Sequence, residues 1–155
     1  MFKTSRISYG GTAAIATSMA LVSGLGAAGA TKPVVASALL IAALADNLTD
    51  SLSIHIFQES EHLDQKEAFA STVTNFATRL LVCLSFILLV GLLPVSVAVG
   101  GIIAWGMLLL AALTFLVARE RKVGALLEVV KHLLVATSVV LVSSAIGHWI
   151  SAALG

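Results

Sequence analysis

Charge is what this sequence has least of. Only 11% of its 155 residues are Asp, Glu, Lys or Arg, against roughly 25% in soluble domains. A buried core cannot absorb that shortage, because a domain of this size still leaves about a third of the surface of its unfolded chain in water. A soluble enzyme and a nucleic-acid binder are therefore excluded. The single cysteine, Cys83, rules out an intrachain disulfide and a Cys-cluster metal site. No GxSxG, HExxH or phosphate-binding loop occurs, so no enzyme activity and no permanently bound cofactor are expected. What remains is 59% hydrophobic, with a mean hydropathy of +1.05. This is the composition of an all-α, multi-pass integral membrane protein whose first partner is the lipid bilayer.

A bilayer core about 30 Å thick needs about 20 apolar residues in a helix. No charge interrupts the chain between Arg6 and Lys32, and a second apolar run follows Pro33 as far as Phe57, broken by Asp46, Asp50 and His55. Leu80 to Ala118 is again uncharged but too long for one crossing; Pro94 and the Gly100–Gly101 pair are expected to divide it, since both residue types interrupt helices. Five spans result, at about 8–30, 33–57, 79–97, 101–118 and 125–152, with a short cytoplasmic polar helix over 58–78. Five crossings place Lys3, Arg6, Lys66, Arg79, Arg119, Arg121, Lys122 and Lys131 on one side and Lys32 alone on the other. That asymmetry predicts a cytoplasmic N-terminus and an outer or luminal C-terminus. Trp105 and Trp149 are expected at the outer interface. Ala28-Gly29-Ala30 loosely suits a signal cleavage site, but the apolar stretch before it is too long and Gly-rich for a signal peptide, and a retained span is expected.

Gly24-x-Gly26-x-x-Gly29 matches the dinucleotide-binding fingerprint by letter. That chemistry requires a preceding strand and a solvated helix start, whereas these glycines end an apolar run. Ala13, Thr17, Ala20, Gly24 and Ala28 instead place small side chains at helical spacing, which suits close helix packing, within the chain or against a second subunit.

Asp46 and Asp50 are the informative residues. Counted at about 1.5 Å per residue from Pro33, Asp46 lies about 20 Å into the second span, with Asp50 one turn nearer the cytoplasm. The two share a face with Thr49 and Ser53, and Asn47 is adjacent. A carboxylate at mid-bilayer costs about 2.5–3.5 kcal/mol on insertion scales and commonly lines an ion path. No basic residue is expected within a span to neutralise them. Two acids one turn apart suit a hard divalent cation or proton exchange; the bland alternative is structural glue between helices. His55, Glu59 and His62 form a second candidate group on the opposite face, with Glu61 beside them. Imidazole plus carboxylate suits iron, manganese or zinc, although charged helix extensions outside a membrane look similar. His132 and His148 are expected at the two interfaces, and Cys83 as a small apolar filler.

The order of these features is familiar. A Gly/Ala-rich first span ending in Ala20 to Ala30 is followed by Leu44-Ala45-Asp46 and Leu52-Ser53-Ile54. Leu84-Ser85-Phe86 and Gly91-Leu-Leu-Pro94 come next, then Gly124-Ala125-Leu126-Leu127-Glu128 and Ile146-Gly147-His148-Trp149. Over nearly its whole length the chain resembles the vacuolar iron transporter family. The resemblance implies a five-span homodimer that exports Fe2+ or Mn2+ from the cytoplasm against protons, along a path between subunits lined by the first and second spans. Asp46 stands where the family has a glutamate. The chain departs from the family in three places: Ala13 stands where the first span carries an acid, Ile54 replaces a methionine, and the polar insert is short. Oxygen ligands without the methionine favour manganese. The alternative is a non-transporting scaffold, or a metal-responsive partner protein, that keeps the fold. Whether the membrane is that of the cell or of an organelle is not readable from the sequence.

Overall fold

The computed structural model describes residues 4–60 and 65–154. Among them the regular structure is entirely helical: α1 (Thr4–Ala27), α2 (Lys32–Ile41), a π-helical turn (Ala42–Asp46), α3 (Asn47–Ser60), α4 (Gln65–Leu92), α5 (Val95–Glu120) and α6 (Ala125–Leu154). Since α2, the π turn and α3 form one continuous rod, five helical rods are long and apolar enough to cross a membrane. Helices are the expected solution, because in lipid every backbone N–H and C=O must be satisfied within the protein.

α1 is the hub. It packs against α2, α4, α5 and α6, and no residue from Gly10 to Ala28 is exposed. Its small-residue stripe is engaged within the chain. A Cβ on Gly147 of α6 would overlap the Gly24 carbonyl oxygen, so the two backbones touch at a distance only glycine permits. The fingerprint glycines also find their explanation here. Gly29 ends α1 in the left-handed region (φ 77), while Ala30 N–H donates to Leu25 O at 2.9 Å and Gly29 N–H to Gly26 O at 3.1 Å, the pattern of a glycine helix stop. The main apolar core collects Ile15, Met19, Leu39, Phe86, Ile102 and their neighbours around α1.

The helices divide differently from the sequence reading in two places. Residues 58–78 do not form a separate polar helix: α3 extends through Ser60, and α4 starts at Gln65 and runs unbroken to Leu92. The long apolar run divides at Pro94 alone, and Gly100 and Gly101 lie inside α5. Pro94 lacks an N–H and sits just ahead of the first turn of α5, whereas two glycines cost a helix only about 1 kcal/mol each. With α5 starting at Val95, Trp105 is about 15 Å along it, and its indole N–H donates to Ser85 Oγ of α4 at 3.1 Å. Trp149 is exposed near the end of α6.

Candidate functional site

The rod that carries Asp46 buries every fourth residue against its neighbours: Val35, Leu39, Ala43, Asn47 and Ser51. In a straight α-helix a stripe stepping by four drifts about 40° per step. The π turn at Ala42–Asp46 takes up part of that drift, since each of its turns holds more residues. The buried stripe therefore stays on one side, and Asp46 and Asp50 fall on its flank, one residue ahead of Asn47 and Ser51.

What they meet there overturns the expectation that no cation lies within a span to pair with them. Arg79 Nη2 contacts Asp46 Oδ2 at 2.7 Å, and Arg79 Nη1 pairs with Asp50 Oδ2. Arg79 belongs to the apolar segment Phe69–Leu92, about 15 Å beyond Phe69. The guanidinium is sealed, with 3% of its side chain exposed, whereas the Asp46 and Asp50 side chains are 46% and 38% exposed. Two carboxylates against one guanidinium leave one excess negative charge, on the open side of the bundle. Thr49 and Ser53 are exposed along the same helix, and their hydroxyls donate back to Ala45 O and Thr49 O, each at 2.9 Å. A cleft of about 360 Å³ opens beside Asp50, lined also by Ser53, Ile54 and Phe57.

Behind the triad lies a sealed polar layer. Asn47 Nδ2 donates to Phe76 O of α4 at 2.9 Å. Asn75, one turn before Arg79, is 2% exposed, and both its amide atoms lack a hydrogen-bond partner, as do Asn47 Oδ1, Ser51 Oγ and Arg79 Nε. Gly10 of α1 makes room for this layer: a Cβ there would collide with Asn75 Oδ1 and come within 3.1 Å of Arg79 Cγ. Asn75 and Arg79 are the residues that sequence reasoning missed. Their i, i+4 spacing, continued back to the buried Ser71, is the signal that could have exposed them.

Of the second candidate group only His55 is described with its side chain. His55 is half-buried in α3. The side chain of Glu59, and Glu61 and His62 entirely, lie outside the described residues. Among the described residues no group of three or more His, Cys, Asp or Glu side chains converges as a metal site would need. His132 accepts a local role, its Nδ1 lying 2.8 Å from Glu128 O, and His148 is exposed. Cys83 is buried against Ala14 and Ala43, with Ser18 Oγ 3.7 Å from its sulfur.

No protein-family model, no curated protein and no solved structure matches this chain.

Proposed function

We propose that the protein is a membrane carrier for a divalent cation, Mn2+ or Fe2+, which binds at Asp46 and Asp50 and leaves the cytoplasm in exchange for protons. One observation carries the reading: two carboxylates one turn apart within an apolar span share a single guanidinium, both are partly exposed, and a cleft opens beside Asp50. Desolvated charge of this kind is costly unless function retains it. Hydroxyls of Thr49 and Ser53, exposed on the same helix, supply further oxygen atoms, in keeping with a hard cation. The family resemblance and the bias of basic residues to one end support the direction of transport.

A scaffold that transports nothing is the rival reading, and the two ion pairs to Arg79 favour it, because they give both aspartates a structural partner. Uptake of Mn2+ into proteoliposomes of the purified protein separates the two. The carrier reading expects uptake above protein-free vesicles, reduced at least about tenfold in Asp46→Asn and Asp50→Asn, as for loss of one charged ligand. Uptake that is absent in the wild type, or equal in all three proteins, overturns it.

A further inference from the structure

We infer that Arg79 is a resident counter-cation, occupying the place of the cargo between Asp46 and Asp50 in the empty protein and withdrawing to Asn75 and Asn47 when a divalent cation arrives. This rests on the carrier reading and adds a regulator to the same site.

Charge supplies the first reason. A guanidinium and a divalent cation compete for the same two carboxylate oxygens, and the two cations repel one another when held at ion-pair distance. Binding of the cation with Arg79 in place is therefore weak, and binding without it leaves an arginine to be housed. The second reason is the housing. Arg79 is sealed on its inner side, and in that layer stand unused acceptors: Asn75 Oδ1, one turn earlier on α4 and against the same Gly10, and Asn47 Oδ1, whose amide already touches α4 through Phe76 O. A buried amide without a partner is costly, so its retention here needs a reason, and a guanidinium that visits would give both amides one. Arg79 Nε also has no partner while the headgroup holds the carboxylates.

The mechanism that follows is an exchange of ions without a covalent step. With the site empty, Arg79 neutralises one of the two carboxylates, and the pair does not stand doubly charged in lipid. Entry of the cation replaces one positive charge by two, and the guanidinium moves toward neutral oxygen acceptors. Departure of the cation returns it. Arg79 is a positioning residue in this scheme: it need not touch the cargo.

The test is equilibrium binding of Mn2+ to the purified, detergent-solubilised full chain by calorimetry, with thermal melting alongside. Arg79→Gln should bind Mn2+ about tenfold more tightly than the wild type, with the competing charge gone, and Mn2+ should raise its melting temperature more than that of the wild type. Asn75→Leu, which removes one acceptor and leaves every charge in place, should bind Mn2+ more weakly than the wild type while melting no lower without metal. That second variant keeps the inference falsifiable if Arg79→Gln fails to fold, since a purely structural arginine predicts unchanged Mn2+ affinity. Equal affinity in wild type, Arg79→Gln and Asn75→Leu overturns the exchange and leaves the carrier reading standing. No Mn2+ binding in any of them overturns both.

Discussion

The two seams that flank the central helix system are built on opposite principles. Where α1 meets α6 at Gly24 and Gly147, side chains are removed until the backbones touch, and Ser143 completes the contact. Where α3 meets α4, one guanidinium and two carboxylates draw the helices together, with an amide bonding across to Phe76 O. In lipid both devices work, because apolar side chains gain nothing from leaving other hydrocarbon, and helices must associate by close packing or by polar contact. The first device is dry and admits one geometry. The second leaves excess charge and open acceptors, and so has a second arrangement within reach. Under the carrier reading, a protein that must hold its shape and yet respond to an ion has use for both.

The comparison is broken most severely at Arg79. In Arg79→Gln, two partly desolvated carboxylates face one another without a cation, and removing one partner of a buried pair costs about 3–5 kcal/mol. We expect the low end, about 3 kcal/mol, because both acids are half open, read as a fall in the denaturation midpoint in mild detergent. The triple variant Asp46→Asn, Asp50→Asn, Arg79→Gln has no charge to strand and should recover most of that loss. An Arg79→Gln protein as stable as the wild type would mean that the ion pairs do not hold this seam. The dry seam fails differently. Gly147→Ala drives a methyl into the Gly24 carbonyl, where only backbone movement relieves it, and overpacking of this kind costs about 1–3 kcal/mol. Adding Mn2+ should leave that loss untouched. A metal-dependent recovery in Gly147→Ala would erase the distinction between the seams.

How much of this is legible in sequence follows the same division. The five apolar rods are readable because hydropathy accumulates locally, and the small-residue stripe is readable because packing repeats every three or four residues. Residues 69–79 are harder. Ser71, Thr72, Thr74, Asn75 and Thr78 look like a solvated connector, and that appearance places Arg79 at a membrane edge. In the helix, Thr74 Oγ1 donates to Ala70 O and Thr78 Oγ1 to Thr74 O, each at 2.8 Å. A hydroxyl satisfied by the carbonyl one turn back no longer needs water, so a stretch that reads as polar can pack inside an apolar span. The partner of Asp46 lies 33 positions away, and only the packing of α3 on α4 reveals it. The pair at 46 and 50 announces its own spacing, while the arginine between them has no repeat to announce it.

Trp105 gives the finest measure of the contrast, because it joins α5 to α4 with a single neutral hydrogen bond and no charge. Its indole N–H reaches Ser85 Oγ at 3.1 Å, and that serine's hydroxyl in turn donates to Val82 O at 2.6 Å. Trp105→Phe keeps an aromatic ring in the core around Phe86 and removes only the donor. Interhelical hydrogen bonds in membrane proteins average about 0.6 kcal/mol, because the separated helices find other partners in the membrane. The variant should therefore lose about that much, with part of any further loss traceable to the smaller ring. Comparing Trp105→Phe with Ser85→Ala and with the double variant isolates the bond: the double should lose less than the sum of the singles by about 0.6 kcal/mol. A coupling several times larger would place this neutral contact beside the ion pairs in strength, and the division between a rigid dry bundle and one charged, responsive seam would no longer hold.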